Sequence, residues 1–130
     1  MQPIIMQDWT TIRGASSATV VMSQADWIMT APFQDVQFYL DIREITPIAG
    51  TITLNLETAP ARDEALFKLM GAAAISITSS TPVTGYPPVT SFVLANATVP
   101  VSHWTRWKLV GPASLWDITF RIMAAGNSIG

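Results

Sequence analysis

The chain contains no cysteine. That excludes disulfide bonds, thiolate metal sites and a cysteine nucleophile together. It has one histidine, His103, and only two lysines, Lys68 and Lys108, beside five scattered arginines. A zinc centre needs several convergent His, Cys or carboxylate ligands, so no metal site is expected. Electrostatic binding of nucleic acid needs clustered cations, so no nucleic-acid partner is expected either. No apolar run approaches the roughly 20 residues that span a bilayer as a helix. The N-terminal MQPIIMQDW lacks the basic start and long apolar stretch of a signal peptide. The expectation is a chain made in the cytoplasm, with no membrane partner and no cofactor.

Charge is also scarce. Asp, Glu, Lys and Arg make up 12% of the chain, against about 25% in ordinary soluble domains. The net charge is −2 and the apolar fraction is 49%. The 130 residues suit one domain that buries about two-thirds of its unfolded surface without a staple. With so few charges to solvate the exterior, some apolar surface is expected to be covered by a partner, most simply by further copies of the chain.

Alternation dominates what is present. From Asp35 to Ile45, Val36, Phe38, Leu40 and Ile42 share one face, and Gln37, Tyr39, Asp41 and Arg43 the other. That period of two marks a half-buried strand. After Pro47 and Gly50, Ile52, Leu54 and Leu56 alternate with Thr53, Asn55 and Glu57, so the two runs read as antiparallel neighbours. Glu57 to Met70 holds, besides Glu57 itself, Arg62, Asp63, Glu64 and Lys68, which makes five of the sixteen charged residues, and reads as a solvated loop or single helical turn. Strands are expected at Ala18–Met22, Ala72–Thr78 and Ser91–Ala95, with a Pro/Gly-rich loop at Ser79–Pro88. Trp104–Val110 and Leu115–Met123, separated by Gly111-Pro112, read as a hairpin, with Trp116, Ile118, Phe120 and Ile122 inward. Residues 1–14 are expected to form an N-terminal arm, and 124–130 a flexible tail. The sum is a single all-β domain: an antiparallel sandwich or jelly roll of seven to eight strands.

Catalytic signatures are few among the polar residues. His103 has no fixed partner and no GxSxG turn accompanies it. Asp41 and Glu57 could act as a carboxylate pair, although cross-strand ion pairing is the plainer role. No Gly-rich phosphate loop is present. The chain is expected to be no enzyme. Trp104 and Trp107, three apart on a strand, must face opposite sides, and Trp116 belongs to the core. Trp9, Trp27, Trp104 and Trp107 are the candidate interface anchors, since Trp is favoured at interfaces. In an alternative reading as a carbohydrate-binding module, Tyr39, Tyr86 and Trp107 would stack on sugar rings.

Two segments carry a resemblance: Asp35–Phe67, DVQFYLDIREITPIAGTITLNLETAPARDEALF, and Trp104–Ile122, WTRWKLVGPASLWDITFRI. Their Glu-Thr-x-Pro turn followed by Asp-Glu, and their aromatic-Arg-Trp and Trp-Asp-x-Thr-Phe-Arg strands, resemble small β-sandwich accessory virion proteins of tailed phages and prophages, of the capsid-decoration kind. The same layout is similar to jelly-roll carbohydrate-binding modules. The first resemblance implies a structural virion protein that forms a homo-oligomer and binds the major capsid protein or other virion subunits. If Trp9 is an anchor on that surface, Trp9→Ala weakens attachment and leaves the circular dichroism spectrum and melting point near wild type. Loss of the folded state would instead place Trp9 in the core.

Overall fold

A computed structural model describes residues 2–15, 18–45, 51–78, 90–95, 101–113 and 115–128. Among these lie nine strands: β1 (Gln2–Gly14), β2 (Thr19–Val21), β3 (Ile28–Met29), β4 (Phe33–Ile45), β5 (Thr51–Ala59), β6 (Lys68–Thr78), β7 (Thr90–Ala95), β8 (Trp104–Val110) and β9 (Trp116–Ser128). Sheet A has the order β1-β9-β4-β7. Sheet B has the order β2-β8-β5-β6, with β3 also paired to β8. All ladders are antiparallel. The path alternates between the sheets, and only β5 and β6 are consecutive strands paired with each other. This is the double Greek-key order of a jelly roll, as the alternation predicted in its broader form.

The inward sets are those the period of two requires. Val36, Phe38, Leu40 and Ile42 from sheet A, with Ile118, Phe120 and Ile122, face Ile52, Leu54, Leu56 and Leu109 from sheet B. Trp107 of β8 crosses the core to Phe120 of β9, edge to face at 5.3 Å. Its indole N–H donates to Gln7 Oε1 on β1 at 3.0 Å, so one side chain links the two sheets.

Two expected hairpins are arches instead. β4 and β5 lie in different sheets, and so do β8 and β9. In a hairpin the two apolar faces lie side by side, whereas in an arch they face each other across the core. Alternation is identical in both cases, so the pattern alone does not separate them. At the β8–β9 arch, Gly111 donates to Ala18 O at 3.0 Å. A Cβ added to it would meet Trp116 Nε1 at 2.0 Å. The bend thus needs the smallest residue beside the largest.

Both termini also differ from expectation. Residues 2–14 are not an arm but an edge strand laid along β9. Two register shifts, between Ile5 and Gln7 and between Gln7 and Thr10, break the alternation and hide the strand in the sequence. Ala124 to Ser128 is not a tail but the end of β9, paired to both β1 and β4. Its small residues make room for packing, because a Cβ on Gly126 would meet the Phe33 ring at 2.5 Å.

Gly111→Ala is expected to cost about 2–3 kcal/mol through overpacking against Trp116, read from the urea midpoint. Combined with Trp116→Leu, the loss should be smaller than the sum of the two single losses, because the variants share one contact. An unchanged midpoint for Gly111→Ala would contradict the close approach.

Candidate functional site

A sandwich that buries two inner faces leaves two outer faces, and here they are treated differently. On sheet B the outward residues of β5 and β8 are Glu57, Arg106 and Lys108, since Glu57 pairs with Arg106, and Asn55 with Lys108. Outward does not mean exposed: Glu57 and Arg106 are both buried. Their cover comes from two connecting segments. Residues 22–30, between β2 and β4, bring Trp27. The β5–β6 connection brings a single 3-10 turn, Glu64–Leu66, whose first turn is capped by Asp63 Oδ1 accepting from Ala65 N–H at 3.0 Å. Phe67 follows it and meets Trp27 edge to face at 4.7 Å.

The Arg106 guanidinium lies against both rings, 4.1 Å from the Phe67 centroid and 5.2 Å from that of Trp27. It donates to Glu57 Oε1 at 3.0 Å and to Glu64 Oε2 at 2.8 Å. Lys108 Nζ adds a second cation to Glu57 at 3.2 Å. A buried charge is tolerated only when paired and hydrogen-bonded, and here the planar fork satisfies both conditions while stacking. Arg62 Nη2 donates to Gln24 O at 2.6 Å and lies 5.3 Å from the Trp104 ring, tying the two covering segments together. Below, Thr30 Oγ1 donates to Ser102 O at 2.7 Å, and Thr58 Oγ1 to Trp104 O at 2.8 Å, so these buried hydroxyls are satisfied.

Among the described residues, none is laid over the outer face of sheet A at β1, β9 and β4. Three rows cross these strands. Pro3, Ala125 and Gln37 form one, and Ile5, Met123 and Tyr39 the next. In the third, Arg121 of β9 pairs with Asp41 of β4, Nη2 to Oδ2 at 2.7 Å. Trp9, on the bulged part of β1, reaches over this row. The Arg121 guanidinium lies 4.8 Å from its ring and that of Arg43 lies 5.1 Å from it. Ile5 is 60% exposed and Trp9 36%. Thr11 and Thr119 hydrogen-bond across the strands at 2.8 Å below them.

The expected anchors divide accordingly. Trp9 is exposed, on the outer face of sheet A. Trp104 is half-buried under Arg62, on the sheet B side. Trp27 and Trp107 are core residues and cannot be anchors: Trp27 is drawn in by Phe67 and Arg106, and Trp107 by Phe120. The glycan-stacking set does not form a platform either. Trp107 is buried, Tyr39 is half-buried with its hydroxyl donating to Gln37 Oε1, and Tyr86 lies outside the described residues. Asp41 and Glu57 sit on the outer sides of opposite sheets, so they cannot flank one substrate bond. Among the described residues no three His, Cys, Asp or Glu side chains group to hold a metal. No helix among them is long and apolar enough to cross a membrane.

No protein-family model matches the chain, and no curated protein matches it. A solved structure of Bacillus endospore appendages, described as a novel family of disulfide-linked pili, is similar over 99% of this chain and 93% of that one. The TM-score is 0.51 and the identity 12%, a likeness of fold.

Removal of Arg106 leaves Glu57 buried with Lys108 alone. Arg106→Ala should destabilise by about 3–5 kcal/mol, and Arg106→Lys should recover little, since an ammonium lacks the stacking plane. Glu64→Gln should cost less than about 1 kcal/mol, because that carboxylate is 70% exposed. Denaturant titration of the three variants gives the order, and a mild Arg106→Ala would remove Arg106 as the clasp.

Proposed function

We propose that this protein is a non-catalytic structural subunit that assembles with copies of itself, and that its setting is the outside of a tailed-phage particle, as a decoration or cement-like layer bound to the major capsid protein. The observation that carries the first part is the contrast between the two outer faces. The protein spends two connecting segments and a buried ion cluster on covering one face, while the other presents exposed Ile5 and Trp9 and half-buried Tyr39 and Met123, with no segment laid over them among the described residues. Trp, Tyr, Met and Arg are the residues enriched at interfaces.

The fold neighbour is described as pili, which accords with an assembling role. This chain has no cysteine, so its own assembly would be non-covalent. The virion setting draws on the resemblance of Asp35–Phe67 and Trp104–Ile122.

Light scattering after size exclusion is expected to give a mass that rises from monomer to a defined oligomer with concentration. A monomer at every concentration reached would overturn the assembly reading. For the setting, particles sedimented from an induced culture of the source strain should retain the chain after a high-salt wash. Recovery only in the supernatant would overturn that part.

A further inference from the structure

We draw no further inference here: the strongest candidate, the surface patch on the outer face of sheet A where the exposed Trp9 ring lies against the Arg43 and Arg121 guanidiniums, is an unpartnered sheet face, and nothing in the structure shows what covers it.

Discussion

Arg106 holds the outside of sheet B closed. Its guanidinium lies against both Trp27 and Phe67 and is bonded to Glu57 and Glu64, so it fixes two loops that share no strand pairing with each other. Without that cation, Glu57 would lack its closest partner and the two rings would lose the surface they stack on. Burying an ion pair is costly, and an apolar cluster of the same volume would often be as stable. What the ion cluster adds is orientation: a planar, five-donor group accepts partners only in its plane and rings only above and below it.

The consequence is an asymmetric sandwich. Both sheets have amphipathic strands and the same alternating pattern, yet among the described residues only sheet B is roofed by its own chain, over β5 and β8. The described outer face of sheet A presents Ile5, Met123, Tyr39 and Trp9 beside the Arg121–Asp41 pair. A protein with 12% charged residues has little means of solvating such a face. The proposed assembly would cover that face with a second copy and answer the low charge with the same contact. With no cysteine in the chain, such a contact would be non-covalent.

The inward residues of β4, β5, β8 and β9 were legible because alternation over several repeats of the pleat survives any choice of topology. The pairing of those strands was not legible, because a hairpin and an arch bury the same alternate residues. β1 was obscured by its two bulges, each of which resets the parity. Trp27 and Glu57 misled for another reason. Glu57 does point outward as its position requires, but it is roofed by Phe67 and Trp27, which are 10 and 30 residues away in the chain. Such long-range cover leaves no local periodicity. Trp104 and Trp107 show the middle case: their spacing assigned them to opposite faces, and only the structure shows which one is inside.

Hydroxyl-radical footprinting at low and high protein concentration tests the central claim most directly, because each outer face carries its own reactive probes. Trp9, Tyr39 and Met123 report on sheet A, and Met29, which is 59% exposed, reports on sheet B. The account predicts that Trp9 and Met123 become protected as the protein associates while Met29 stays as reactive as in the monomer. Protection of Met29 with Trp9 and Met123 unchanged would contradict it, and would move the interface to the roofed side.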